Sequence, residues 1–106
     1  VLAMVGIPEG DFNEERQRLY YRTRDALLII TKPLNGNMAE AANGSSLAFK
    51  CETPEQVKAF HDAGVSNGGV SREAPPGWRD YGSGRRMYLA YVRDPSGQKI
   101  CAAHNE

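Results

Sequence analysis

Two thiols, two imidazoles and a run of aromatic and guanidinium side chains are the chemistry this sequence offers. Cys51 and Cys101 lack the close CxxC spacing of a zinc or redox site and are too few for a disulfide framework, so both read as free thiols of a reducing compartment. His61 follows Phe60 in a helical pattern and reads as packed or partly exposed, and His104, close to the last residue, reads as mobile. No third partner is suggested for either imidazole, so a Cys-His or Ser-His triad has nothing to rest on. The richest cluster is Trp78, Arg79, Tyr81, Arg85, Arg86, Tyr88 and Tyr91. Aromatic faces interleaved with guanidinium groups can clamp a planar or anionic small molecule. The competing reading has Trp78 and Tyr81 pinning a long loop while the arginines are solvated.

These residues depend on the elements that carry them. VLAMV, closed by Gly6 and Pro8, reads as the end of a helix. Arg16 to Arg22 and Asp25 to Pro33 read as two neighbouring strands, the second apolar and β-branched. Residues 34 to 46, rich in Asn, Gly, Ala and Ser, have no apolar period and read as an exposed connector. Leu47 to Cys51 is a third strand. Thr53-Pro54-Glu55-Gln56 then supplies a capping threonine, a proline at the first helical position and a glutamine at the third, the clearest helix start in the chain. Val57, Phe60 and Ala63 share one face, and Gly64 together with Asn67-Gly68-Gly69 is expected to end the helix. Ser71 to Gly84 reads as a long irregular stretch. Met87 to Arg93 and Lys99 to Ala103 form a hairpin about the turn Asp94-Pro95-Ser96-Gly97. In that hairpin Cys101 alternates away from Ile100 and Ala102, and Cys51 belongs to the other side of its sheet. The two halves look like one unit repeated, the first copy lacking its opening strand.

Composition bounds the rest. A chain of 106 residues can bury enough surface for one core without metal or disulfide staples. With 13 Lys+Arg against 13 Asp+Glu there is no long-range field to gather phosphates or anionic lipid, so nucleic acid and membrane surfaces are not expected partners. Apolar runs such as Ala26 to Ile30 fall far below the roughly 20 residues a membrane-spanning helix needs. The expected location is cytoplasmic. Asn43-Gly44-Ser45 matches a glycosylation acceptor but has no secretory context.

The stretch SSLAFKCETPEQVKAFHDAGVSNGG, the run PPGWRDYGSG and the hairpin YLAYVRDPSGQKICAA together resemble the second module of the vicinal oxygen chelate superfamily, which includes glyoxalase I, bleomycin resistance proteins and extradiol dioxygenases. VLAMVGI and DALLIITKP are similar, more weakly, to the end of the first-module helix and its last strand. The resemblance implies an α+β fold of paired βαβββ modules whose curved sheets enclose a cavity, with residues 1–36 the remainder of the first module, 37–46 the connector and 47–106 the second module. In the family's enzymes four strand residues, two per module, hold a divalent metal in that cavity. Carried over, the second-module histidine falls on Ser46 and the last-strand glutamate on Cys101, while Leu27 to Thr31 contain no carboxylate for the first module. A catalytic divalent ion needs about three protein ligands, so the resemblance implies a lost metal site and no metal cofactor. The expected function is then binding of a small organic molecule in the inter-sheet cavity, with Ser46, Ala48, Trp78, Arg79, Tyr81, Tyr88 and Cys101 as wall residues. Arg79 is expected to brace its loop, and a homodimer is the expected assembly. The alternative is a metal-dependent lyase, isomerase or dioxygenase whose centre is rebuilt from Cys101 and groups outside this chain. A third is a fragment without independent activity.

Overall fold

The computed structural model describes residues 1–41 and 43–106; Ala42, in the expected connector, lies outside the described residues. The chain opens with a 3-10 turn, Leu2–Val5, closed by Gly6 in the left-handed conformation. Three antiparallel strands follow in the order β1 (Asp11–Asn13), β2 (Arg18–Arg22), β3 (Leu27–Thr31). β1 is an addition to the sequence reading: three exposed residues carry no apolar alternation to read. β2 and β3 are neighbours as expected, with Arg22 opposite Leu27.

The second sheet has the order β4 (Ser46–Lys50), β7 (Lys99–Asn105), β6 (Arg86–Arg93), β5 (Val70–Asp80). β4 runs parallel to β7, which requires a crossover, and helix α1 (Pro54–Ser66) supplies it. Each half thus carries a helical segment followed by three antiparallel strands. The Thr53 hydroxyl accepts the Gln56 N–H at 3.1 Å, a cap worth about 1 kcal/mol. The Gln56 amide oxygen accepts the N–H of Glu52 at 2.7 Å, one residue earlier than the reciprocal capping pattern predicts.

Helix α1 does not stop at Gly64. That glycine is buried inside the helix against Val92, and the helix ends at Ser66, where the Asn67 and Gly68 N–H groups turn back onto its last carbonyls. Val57 and Phe60 are fully buried, and Ala63 is half-buried. With Cys51, Ala90 and Ala102 they form the core on the helix side of the four-stranded sheet, Phe49, Tyr88 and Ile100 packing around them.

Ser71 to Gly84 is more regular than its sequence suggests. β5 pairs with β6 through Val70–Arg72 and again through Gly77–Asp80, with the register shifted between. Pro75 and Pro76 have no N–H to give a ladder, so the chain bulges there and Glu73 takes a left-handed conformation (φ 59°), at a cost of about 1 kcal/mol. The hairpin turn is as read: the Gly97 N–H reaches the Asp94 carbonyl at 2.8 Å, and the Asp94 carboxylate accepts the N–H groups of Ser96 and Gln98, each at 2.9 Å. His104 is not mobile. Its imidazole meets the Cys51 carbonyl at 3.1 Å and its ring lies edge-on to Trp78, because β7 extends to Asn105 and carries it over the core.

Candidate functional site

The core fixes which side of the four-stranded sheet each residue serves. Phe49, Tyr88, Ala90, Ile100 and Ala102 point toward α1, so alternation sends Ser46, Ala48, Leu89, Tyr91, Lys99, Cys101 and Ala103 to the opposite face. The register sets these against one another: Ala48 beside Cys101, Cys101 beside Tyr91, and Tyr91 beside Arg72.

The wall residues expected from sequence are divided between the two faces. Ser46, Ala48, Arg79 and Cys101 share the open face. Trp78 and Tyr88 lie on the helix side, edge to face with ring centroids 5.4 Å apart, and Arg86 covers the indole at 4.7 Å. Tyr81 follows the end of β5, is 54% exposed, and holds its loop through a 2.9 Å bond from its N–H to the Arg85 carbonyl.

The open face is organised around Tyr91. The Arg79 guanidinium stands 5.4 Å from its ring centroid and the Lys99 ammonium 4.5 Å. Arg79 also donates to the carbonyls of Ala74 (2.9 Å) and Pro75 (3.4 Å), bracing the bulge as its sequence position suggested. The bulge in turn aims Glu73 at Lys99, and the two form an ion pair. Glu73 and Lys99 are not among the residues the sequence singles out, and Tyr91 enters there only through the aromatic and guanidinium cluster, not the cavity wall. Strand alternation from Cys101 could have added Lys99 and, through the hairpin register, Tyr91; Glu73 depends on a bulge whose register no local rule gives.

Cys101 is only 4% exposed. Burial pushes its thiol above the ordinary value, although Tyr91, Arg79 and Lys99 all pull the other way. A cationic neighbourhood that the sequence could not reveal is therefore present, yet desolvation wins and the thiol stays protonated at neutral pH. Tyr91 is pushed up to about 12, first by burial and then by the neighbouring Cys101, Tyr81 and Glu73. Neither group is a nucleophile at neutral pH; what the face offers is the Arg79 guanidinium, a Lys99 ammonium paired with Glu73, a flat ring and neutral donors. Cys51, in the core on the other face, is also raised by burial, and both cysteines are free.

These shifts carry a sign. A proton held more tightly by the folded state stabilises it fully below the unfolded-state values, 9.0 for the thiols and 10.0 for the phenol, and that contribution is lost as the pH rises through the folded values. Urea-unfolding free energy is expected to fall between about pH 9 and pH 12, Tyr91 alone accounting for on the order of 2 kcal/mol. In Tyr91→Phe the alkaline decline should be visibly shallower; an identical decline would refute the assignment.

A divalent metal of the kind the resemblance implies does not fit these positions. Ser46 brings an exposed hydroxyl and Cys101 a thiol held in the protonated form, whereas a thiol must ionise to ligate. Among the described residues no three His, Cys, Asp or Glu side chains converge. A cleft of about 600 Å³ lies elsewhere, between β3 and the helix side of the second sheet, lined chiefly by Leu28, Ile30, Leu47, Phe49, Val92 and Ile100. It is apolar and holds none of the expected wall residues. The chemically equipped surface is the open face.

No protein-family model and no curated protein matches the chain. Among solved structures it is similar to a glyoxalase/bleomycin resistance protein from Albidiferax ferrireducens, with 48% identity and a TM-score of 0.89 over 97% of this chain and 81% of that one. A hypothetical protein of S. aureus shares the fold at 14% identity (TM-score 0.68, 97% of this chain, 79% of that one). So does a glyoxalase-related enzyme from Fulvimarina pelagi, at 18% identity (TM-score 0.68, 94% and 71%). The α+β fold with two open sheets agrees with the first of these over nearly its whole length, at an identity far above that of a shared fold alone. The chain belongs to the glyoxalase/bleomycin resistance protein family.

Proposed function

We propose that this protein binds a small planar organic anion on the open face of its four-stranded sheet, without a metal ion. The observation that carries the reading is Tyr91 flanked by Arg79 and Lys99 over the buried Cys101 thiol. A planar guanidinium held over a ring on a rigid sheet can stack an aromatic or conjugated acid and pair its charge, with Lys99 shared between the ligand and Glu73, and protonated thiol and phenol groups can donate to it. Arg79 is held by the bulge carbonyls, so little side-chain entropy is lost on binding. Zero formal net charge leaves recognition to these local groups and argues against nucleic acid as the partner.

A homodimer suits the surface of the first sheet, where Leu27, Ile29 and Ile30 of β3 are about half exposed. No helix among the described residues is long and apolar enough to cross a membrane. Two free thiols fit a cytoplasmic protein.

Native mass spectrometry of gently purified protein tests the reading in one spectrum. The expected species is a dimer free of divalent metal, with a small organic adduct that is retained in chelator and lost in Arg79→Met. One stoichiometric divalent ion per subunit would overturn it in favour of a metal-dependent lyase, isomerase or dioxygenase.

A further inference from the structure

On the helix side, away from the open face, α1 and β5 bring together three side chains that no sequence motif groups. His61 Nε2 lies 2.8 Å from the Ser71 hydroxyl, and His61 Nδ1 lies 3.0 Å from the Asp62 carboxylate. The roles along this chain are fixed by elementary chemistry. Asp62 is exposed to solvent, and its hydrogen bonds from His61 and Lys58 hold its carboxyl below the usual range, so it only accepts. Nδ1 then carries the proton it donates, and in the tautomer this sets Nε2 presents its lone pair to the Ser71 hydroxyl, which donates to it. The order is nucleophile, base and orienting carboxylate, at distances that permit proton transfer.

The surroundings suit the order. The imidazole side chain is 14% exposed, held between helix and strand, while Ser71 is exposed and reachable. β5 is the outer strand of its sheet, so one edge of its backbone meets no strand among the described residues.

We propose that Ser71, His61 and Asp62 form an acyl-transfer site in which Ser71 is the nucleophile toward small activated carboxylic esters. The Ser71 oxygen bonds to the acyl carbon as its proton passes to His61 Nε2. The bond from that carbon to the alcohol oxygen breaks, and the alcohol leaves with the proton from Nε2. Water then repeats the sequence, giving its proton to Nε2, releasing the carboxylic acid and restoring the serine. Asp62 is a positioning residue: it keeps the ring in the tautomer that leaves Nε2 free and stabilises the imidazolium formed in each step.

The test is labelling of the whole protein with a fluorophosphonate, followed by peptide mapping, alongside hydrolysis of p-nitrophenyl acetate. The expected result is a single adduct on Ser71 in the folded protein, absent after urea unfolding and absent in Ser71→Ala. His61→Gln should slow labelling by about 10²- to 10⁴-fold. Asp62→Asn, a change at an exposed carboxylate that leaves the core untouched, should slow it as well and move the acid limb of its pH profile, which a merely structural role would not do. An adduct elsewhere, no adduct, or labelling of Ser71 at an undiminished rate in both His61→Gln and Asp62→Asn would overturn the proposal.

Discussion

Phe60→Ala is expected to lower the unfolding free energy by about 3–5 kcal/mol, the largest effect of any single truncation in this chain. Phe60 is 0% exposed and is the largest of the fully buried side chains. Its ring meets Phe49 of β4 at 5.7 Å, and the same cluster includes Val57 of its own helix, Ala90 of β6 and Ala102 of β7. One ring thus fastens the crossover helix to three of the four strands. The alanines opposite cannot move in to fill the void, because β6 and β7 are held in register from Met87–Asn105 to Arg93–Lys99. A domain of this size has a total stability of about 5–15 kcal/mol, so the substitution removes a large share of it. Urea unfolding followed by circular dichroism checks the value, and Phe60→Leu, which keeps most of the volume, should recover more than half of the loss. A cost below about 1 kcal/mol for the alanine variant would mean that the cluster is not the core.

Gly69→Ala should cost about 3 kcal/mol, although it adds one methyl group at the end of a helix, where alanine is ordinarily harmless. A Cβ built there stands 2.7 Å from Val92 Cγ1, 2.8 Å from the Gly64 carbonyl oxygen and 3.0 Å from the Arg93 carbonyl oxygen. Two of these three atoms are backbone. The Gly69 N–H also bonds to that same Gly64 oxygen at 2.9 Å, so retreat from the new methyl stretches the bond that turns α1 into β5. Gly77→Ala is the control, since its nearest contact would be the Pro75 carbonyl at an ordinary 3.7 Å; it should stay within about 1 kcal/mol of the parent. Comparable losses at both positions would show that glycine flexibility, and not close approach, explains Gly69.

Gly64 also marks where reading from sequence fails. A glycine near the end of an amphipathic pattern signals a stop whether it bends the chain or admits a neighbour. Gly64 admits Val92 and lies inside the helix; only the position of β6 distinguishes the two cases. The Ser71 to Gly84 stretch is a similar case. Its prolines forbid an unbroken ladder, but the pairing resumes at Gly77 because β6 presents a full-length edge to receive it.

By itself the sequence determined the crossover helix, through the Thr53 cap and the Val57 and Phe60 face, the Asp94–Gly97 turn and the alternation of the last strand. It also carried the family, through three motifs spaced as the family spaces them. All of these are set by atoms within a few residues of one another, or by a side-chain period the chain displays directly. Tertiary structure decided the rest. Trp78 and Arg79 are neighbours in the chain, yet β5 sends one to the core side and the other to the open face. Cys101 has cations near it and remains protonated, because burial outweighs them. His61 and Ser71, ten residues apart, meet only where helix and outer strand pack. Direction, desolvation and contact between separate elements are properties of three-dimensional packing, and no local spacing encodes them.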